Sequence, residues 1–270
     1  MDRICALGVT IQNTSIDEAK RFVENSLRST EFHRIVTINP DFIMTAQRDN
    51  EFLDAINNAD LSTIDGIGIY IPLLLRGKIP KGRVPGSDFM EYVLEISEHT
   101  NLSVFLLVNS CGLSTFQETK SAIKKKFPRL RVFGSDVSVN SPISIKTSLR
   151  KASNHSVVLS NFGGRLQEIS LAQLQSIPGS TVCLAMGVGG AFDFLTGKQK
   201  RAPFIIRKFG LEWLWRLLLQ PQRRLRRTWN YVFVYSLLCI KEALVHLILQ
   251  IDPYVYHRKN SPIQNTAIHK

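Results

Sequence analysis

The 270-residue chain contains 34 Lys and Arg against 22 Asp and Glu, which gives a net charge of +12, and 44% of its residues are hydrophobic. This length and apolar content allow one sizeable core, and four scattered cysteines argue against a disulfide framework or a zinc site. The basic excess predicts an anionic partner, and its position beside a long apolar segment in the last third favours a membrane surface over nucleic acid. The first residues lack the charged-then-apolar pattern of a secretory leader, so we expect a cytoplasmic protein.

Stretches typical of strands alternate with stretches typical of helices along the chain. Strands are predicted at residues 3–12, 34–39, 61–65, 102–108, 131–135, 156–160 and 181–188. Helices are predicted to begin near Ser15, Pro40, Gly66, Gly86, Gly112, Ile145 and Leu166. This alternation predicts an α/β fold, with a Rossmann-like parallel sheet flanked by helices over residues 1–196. Residues 197–270 are predicted to form a basic, amphipathic C-terminal helical appendage.

The ends of the predicted strands define one candidate ligand-binding rim. In sheets of this kind, ligands bind beyond the carboxyl ends of the strands. The rim comprises residues 37–39, 65, 109–112, 161–164 and 187–190.

The stretch from residue 184 to residue 227 is the most informative. It begins as an apolar strand and breaks at Gly187, Gly189 and Gly190; between Gly197 and Thr228 it carries ten Lys or Arg and one acid. Glycines after a strand let the backbone approach a ligand, and the arginines that follow supply charge for phosphate. The residues alone therefore predict an anion site next to a basic arm.

A long apolar segment follows at residues 229–251. Its length is near the roughly 20 residues that span a bilayer. Lys241, Glu242 and His246 fall in its middle, where charges are costly to insert. We therefore expect a helix that lies in the membrane interface or packs on the body, rather than one that spans.

Several ordered blocks carry a resemblance to a known family. They are Gly187-Val-Gly-Gly-Ala-Phe-Asp193, Gly197-Lys-Gln-Lys-Arg-Ala-Pro203, Gly210-Leu-Glu-Trp213, Arg216 and Pro221-x-Arg223-x-x-Arg226. In this order they resemble the C-terminal signature of the WecG/TagA/CpsF glycosyltransferases, and the resemblance extends from the first strand to about Arg227. The resemblance implies an inverting enzyme that transfers a sugar from a UDP-sugar to a polyprenyl-diphosphate-linked acceptor in cell-surface polysaccharide assembly.

The resemblance also implies a location and partners. The protein would act in the cytoplasm, peripherally associated with the inner face of the membrane, and family members of this type can self-associate into homo-oligomers. No nucleic-acid partner is expected. The donor stays open among N-acetylmannosamine-like, glucose-like and uronic sugars, because Asn109 and the run from Gly163 to Leu166 depart from the family pattern where donor recognition is expected.

The resemblance assigns catalytic roles to two residues near the first strands. Asp65 matches the proposed base and Thr37 a substrate contact. Asp65 ends an apolar strand, and Gly66 and Gly68 after it leave room for a substrate, but it also suits a cap for the helix that follows. Asn39 is a candidate sugar contact, and its alternative role is capping the helix from Pro40.

Further matches are candidate substrate-binding residues. Arg83 and Gly86 lie in the block Arg-Val-Pro-Gly-Ser-Asp88, where Ser87 or Asp88 is also a candidate helix cap. We do not expect Asp88 to be catalytic. The remaining candidates are the Gln-Glu pair expected near the nucleotide, the three glycines, and the arginines of the diphosphate clamp: Gln167, Glu168, Gly187, Gly189, Gly190, Arg216, Arg223 and Arg226.

No metal or cofactor is expected. The Asp-x-Asp signature of many other glycosyltransferases is absent, and cationic arginines suit a diphosphate leaving group. Two other classes of protein stay open. One is another nucleotide-dependent enzyme such as an oxidoreductase, which the missing Gly-x-Gly-x-x-Gly disfavours. The other is a non-catalytic basic protein that binds membrane or nucleic acid.

Overall fold

The computed structural model describes residues 2–219, 221–222, 225 and 229–251. The strands are β1 (Asp2–Ala6), β2 (Val9–Asn13), β3 (His33–Ile38), β4 (Leu61–Ile64), β5 (Ser103–Asn109), β6 (Arg131–Val137), β7 (Val157–Ser160) and β8 (Leu184–Gly187). The first two form an antiparallel hairpin, and the other six form a sheet with the strand order β4-β3-β8-β7-β5-β6, in which every pairing is parallel.

Helices connect the strands and continue beyond the sheet. They are α1 (Ile16–Arg28), α2 (Pro40–Ala46), α3 (Asn50–Asn57), α4 (Tyr70–Leu75), α5 (Gly86–His99), α6 (Phe116–Lys126), α7 (Pro142–Ala152), α8 (Gly164–Ala172), α9 (Ala191–Leu195), α10 (Phe204–Lys208), α11 (Glu212–Leu219) and α12 (Ser236–Ile251). Short 3₁₀ helices lie at Ile67–Ile69 and Gln173–Ser176, and a π-helical stretch at Asn230–Tyr235 leads into α12. The predicted capping box is confirmed, since the Ser15 side chain accepts from the Glu18 amide and Glu18 returns to the Ser15 amide.

Both faces of the sheet are buried, as the predicted α/β fold requires. Successive strand residues point to opposite faces. Leu106 and Met186 pack in a cluster that includes residues of α1 and α5, whereas Leu107 and Ala185 pack in a cluster that includes residues of α7 and α8. The Rossmann-like parallel sheet predicted from the sequence is therefore confirmed.

The single strand predicted at residues 3–12 is wrong. The chain turns at Leu7 and Gly8, with φ values of 50° and 79°, so that β1 and β2 form a hairpin outside the main sheet. Positive φ at both central residues gives the turn that matches the twist of a hairpin. The hydrophobic pattern continues through this two-residue turn, and it therefore looks like one strand.

The segment at residues 229–251 packs on the body. Tyr235 and Cys239 are 2% and 1% exposed and belong to a core cluster with Phe42. Glu242 accepts from Arg76 at 2.5 Å and from the Leu7 amide at 2.8 Å, which explains a charge in the middle of an apolar run. None of the helices in the described parts of the chain combines the length and apolarity needed to cross a membrane. The boundary between residues 196 and 197 stays a prediction.

Candidate functional site

Three of the predicted site residues meet at the carboxyl ends of β3 and β4. Thr37 lies opposite Thr63 in the parallel pair, and the Asp65 amide extends the ladder by donating to the Ile38 carbonyl at 2.9 Å. Asp65 Oδ1 accepts from the Gly86 amide, at the start of α5, at 2.9 Å. A Cβ atom on Gly86 would lie 2.9 Å from Thr37 Oγ1, so no side chain separates the hydroxyl from this turn.

Asp65 does not cap the helix that follows it. The 3₁₀ helix Ile67–Ile69 has Gly66 as its N-cap, and no side chain hydrogen-bonds there. Gly66 and Gly68 instead permit close packing on Pro40, because a Cβ on Gly68 would lie 2.6 Å from Pro40 Cγ. The carboxyl of Asp65 therefore keeps one oxygen that receives no hydrogen bond from this turn.

The surroundings of Asp65 keep its carboxyl more basic than an exposed aspartate. Burial raises the pKa of Asp65 most, and the negative charge of Glu212 raises it further. The Gly86 hydrogen bond and the positive charges of Arg216 and Arg83 act in the opposite direction. A raised carboxyl pKa brings a general base closer to the pH at which it must accept a proton.

Arg83 links this turn to the basic segment that follows β8, which comprises residues 198–216. Its Nη1 donates to the Asp65 carbonyl at 3.0 Å, and its Nη2 donates to the Arg207 carbonyl at 2.5 Å. Gly210, with a φ of 70°, lies against it, because a Cβ there would be 3.4 Å from Arg83 Cζ. Beside this junction is a cavity of about 380 Å³ lined by Ile67, Tyr70, Arg83, Lys208 and Phe209.

Asn39 caps α2. Its Oδ1 accepts from the amides of Asp41 and Phe42 at 3.0 Å and 3.2 Å. The helix-capping role considered for Asn39 is thus confirmed. Contact of its side-chain NH₂ group with a sugar stays a prediction.

The predicted Gln-Glu pair lies beneath the glycine turn (residues 187–190) that follows β8. Gln167 and Glu168 are 3% and 1% exposed. Gln167 Oε1 accepts from the Gly189 amide at 3.1 Å, while its Nε2 donates to Glu168 Oε1 at 2.8 Å. A Cβ on Gly187 would lie 1.9 Å from Gln167 Nε2, and Gly189 has a φ of 49°. The pair therefore shapes the turn: Gly187 meets a steric demand and Gly189 a conformational one, whereas a Cβ on Gly190 would meet nothing closer than 3.9 Å.

Glu168 has a buried partner that the sequence reasoning missed. Arg34, within β3, places Nη1 3.9 Å from Glu168 Oε2. Burial raises the pKa of Glu168 to about 7, although its hydrogen bond with Gln167 and the charge of Arg34 lower it. An arginine next to the apolar pair Ile35-Val36 in a predicted buried strand was the available signal for such a partner.

Arginines of the basic segment lie around Phe194 and Asp88. The guanidinium of Arg216 lies 4.8 Å from the centre of the Phe194 ring, and that of Arg201 lies 5.9 Å from it. Asp88 Oδ1 accepts from Arg201 Nη2 at 2.6 Å and from Arg207 Nη1 at 3.3 Å. Asp88 does not cap α5, whose N-cap is Pro85 without a side-chain hydrogen bond. Arg201 and Asp88 lie in blocks that carry the resemblance, but the sequence reasoning gave neither of them a role in the site.

The other half of the rim is joined by asparagines. Asn161 Oδ1, after β7, accepts from the Asn109 amide at the end of β5 at 2.7 Å. Ser114 connects the loop after β5 to α9, because its hydroxyl donates to Asp193 Oδ1 at 2.7 Å. The rim predicted from strand ends is therefore physically continuous across β5, β7 and β8.

Two arginines of the predicted clamp, Arg223 and Arg226, lie outside the described residues. Across the part of the chain that is described, no three or more His, Cys, Asp or Glu side chains group as ligands for a metal ion. Metal independence stays a prediction.

Comparison with known proteins gives consistent similarities. The model of the WecG/TagA/CpsF glycosyl transferase family matches residues 4–247. The N-acetylglucosaminyldiphosphoundecaprenol N-acetyl-beta-D-mannosaminyltransferase of Staphylococcus aureus (strain NCTC 8325 / PS 47) is 27% identical over 247 residues, which cover 90% of this chain and 94% of that enzyme. The enzyme of the same name from Bacillus spizizenii is 30% identical over 190 residues, which cover 70% of this chain and 72% of that enzyme. The family match runs from β1 into α12.

Proposed function

The chain belongs to the WecG/TagA/CpsF family of glycosyl transferases, and on this basis we propose that it is an inverting, UDP-sugar-dependent hexosyltransferase. It moves a hexose-type sugar to a polyprenyl-diphosphate-linked saccharide in cell-surface polysaccharide synthesis. The observation that carries the proposal is the meeting of Thr37, Asp65 and Gly86 under a basic segment.

The proposed reaction is a single displacement at the anomeric carbon. The acceptor hydroxyl oxygen forms a bond to C1 on the face opposite the diphosphate, and the C1–O bond to the β-phosphate breaks. The bonding electron pair leaves with UDP, and the hydroxyl proton passes to Asp65. A carboxylate made more basic by burial suits this role, and general base catalysis contributes roughly 10²–10⁴-fold.

The neighbouring residues position the reactants. The hydroxyl of Thr37 faces the Asp65 turn and binds a substrate hydroxyl, and the NH₂ group of Asn39 remains to donate to the sugar after its oxygen has capped α2. Arg83 fixes the Asp65 backbone. Because the enzyme holds the reacting groups in alignment, the entropy cost of aligning them is met on binding and not at the transition state.

The leaving diphosphate needs positive charge. Arg216 acts on Asp65 electrostatically, so it lies near the reacting centre, and we propose Arg223 and Arg226 as its companions in the clamp. Guanidinium groups stay charged and bind phosphate oxygens in pairs. With these cations the reaction proceeds without a metal ion.

The relatives suggest the substrates. Both are named as transferring N-acetyl-beta-D-mannosamine to N-acetylglucosaminyldiphosphoundecaprenol. We propose a donor and an acceptor of these kinds for this chain, with glucose-like and uronic donors as alternatives.

A membrane-bound acceptor requires a protein that reaches the membrane. We propose peripheral association with the inner face of the cell membrane, through apolar side chains of the C-terminal third. Those that are described and exposed include Phe204, Ile205, Phe209, Trp213, Leu218, Leu237 and Leu247. Self-association of the chain belongs to the same proposal.

A panel assay tests the proposed function. UDP release is measured with several UDP-sugars, with and without a short-chain polyprenyl-diphosphate-GlcNAc acceptor, in the presence of excess chelator. We expect acceptor-dependent release with one donor. Absence of release with every donor would instead favour the alternative, a non-catalytic basic protein that binds membrane or nucleic acid.

A further inference from the structure

Two guanidinium groups share one aromatic ring beside the glycine turn. Arg201 and Arg216 lie 5.9 Å and 4.8 Å from the ring centre of Phe194. Phe194 belongs to α9, which begins directly after the glycine turn. A guanidinium that packs on an aromatic ring keeps its charge, and its N–H edges stay available to an anion.

Arg201 also reaches toward the Asp65 side of the rim. Its partner Asp88 lies in the first turn of α5, two residues after Gly86, whose amide binds the Asp65 carboxyl. Arg201 therefore bridges the β4 side and the β8 side of the site. A diphosphate that joins a sugar near Asp65 to a nucleoside near the glycine turn would have to cross this region.

The arginines around Phe194 have donors to spare. The Nε atoms of both Arg201 and Arg216 are buried and have no hydrogen-bond partner among the described residues. Leaving a buried donor unpaired is unfavourable, and more so where the group is charged. Each guanidinium is therefore only partly satisfied among the described residues, since Arg201 pairs with Asp88 at 2.6 Å and Arg216 with Glu212 at 2.7 Å.

The neighbouring lysines lack this geometry. Lys198 is paired with Glu118 at 2.8 Å, on the α6 side, and Lys200 is exposed. The charge of Arg201 is thus held beside Asp88 within the site, as is that of Arg207, whereas the two lysines that precede Arg201 along the chain are not.

We propose that Arg201 is a further substrate contact, which binds the donor diphosphate together with Arg216 beside the Phe194 ring. Asp88 is a positioning residue: it orients the Arg201 guanidinium before the ligand arrives and does not touch the substrate. This inference rests on the proposed function. It adds Arg201, to which the resemblance gave no binding role, to the residues of the diphosphate clamp.

Binding measurements on the full chain test the inference without requiring turnover. Isothermal titration calorimetry compares UDP, inorganic pyrophosphate and uridine for the wild type, Arg201→Ala, Arg201→Lys and Lys200→Ala. For Arg201→Ala we expect affinity for UDP and pyrophosphate to fall about tenfold or more, because a charge-assisted paired contact is lost, with uridine unchanged. The affinity of Arg201→Lys for UDP and pyrophosphate should lie between those of the wild type and Arg201→Ala. Lys200→Ala removes the same charge one residue away, and its affinity should match that of the wild type.

Asp88→Asn separates positioning from contact. It should weaken UDP binding less than Arg201→Ala does, because the guanidinium remains and only its orientation is lost. Thermal melting of each variant checks the fold, and Arg201→Lys, which retains a cation for Asp88, serves if Arg201→Ala unfolds.

Several results would overturn the inference. Equal losses of affinity for UDP and uridine in Arg201→Ala would indicate a structural role for Arg201. Unchanged UDP affinity in Arg201→Ala would also contradict the inference, as would a wild type that binds neither UDP nor pyrophosphate. A wild type that binds UDP through Arg201 but transfers no sugar would overturn the proposed function alone. A wild type that transfers sugar while Arg201→Ala keeps full UDP affinity would overturn this inference alone.

Discussion

Two carboxyl groups, one on each side of the rim, have pKa values raised by burial and yet serve different ends. Asp65 follows β4, accepts one backbone amide and lies under the basic segment. Glu168 lies beneath the glycine turn, is 1% exposed and contacts Gln167 and Arg34. A raised pKa therefore does not by itself mark a catalytic group, because access to a substrate decides the role.

Removing the Asp65 carboxylate tests the reactive side of this comparison and should have the largest effect. Asp65→Asn keeps an oxygen that accepts from the Gly86 amide, so the fold should survive. The acceptor proton loses its destination, and we expect kcat to fall roughly 10²–10⁴-fold. Steady-state transfer kinetics measure this.

The control is Asp17→Asn, which changes an exposed aspartate in the first turn of α1. Transfer by Asp65→Asn at a rate near that of Asp17→Asn would remove Asp65 from the chemistry.

Removing the charge of Glu168 tests the structural side. Its folded pKa of about 7 lies above the unfolded value of 4.5, so folding favours the protonated acid. The stability contribution is fully present below pH 4.5 and is lost as the pH rises through 7, by about 3 kcal/mol in total. Glu168→Gln should lose this decline, as measured by denaturant unfolding at a series of pH values.

The exposed Glu51→Gln serves as the comparison, since its side chain is 64% exposed. If the free energies of unfolding of Glu168→Gln and Glu51→Gln decline with pH in parallel, the decline does not come from deprotonation of Glu168.

Crowding the Thr37 hydroxyl should have a smaller effect than removing the base. A Cβ in Gly86→Ala would approach Thr37 Oγ1 to 2.9 Å, and a β-branched side chain has few rotamers in which to yield. Displacing a positioning group by about 1 Å can cost on the order of 10²-fold in rate, and we expect a loss up to that size.

Gly82→Ala is the matched change, because a Cβ there meets nothing within 4 Å. Transfer kinetics that do not distinguish the two alanine variants would show that the Thr37–Gly86 contact is irrelevant to turnover.

Strand and cap patterns made much of the architecture predictable. The alternation of strands and helices gave the parallel sheet, and strand ends alone selected the residues that form the rim. The hairpin was missed because Leu7 and Gly8 change the backbone direction without interrupting the apolar alternation.

The roles of individual site residues were less predictable than their positions. Gln167 and Glu168, predicted to lie near the nucleotide, lie under the glycine turn, since burial depends on how α8 packs on β8, and their contact with a nucleotide stays a prediction. The contacts of Arg34 with Glu168 and of Arg201 with Asp88 join residues far apart in sequence, and no local pattern encodes them.

The pH dependence of kcat/KM for sugar transfer tests the central claim most directly. For the wild type we expect activity to be lost as the pH falls, with a midpoint above the ordinary aspartate value of 3.8, because Asp65 must be deprotonated to act. Asp65→Asn should leave a low rate without this acidic limb. An unchanged acidic limb in Asp65→Asn would contradict the account, because another group would then be the base.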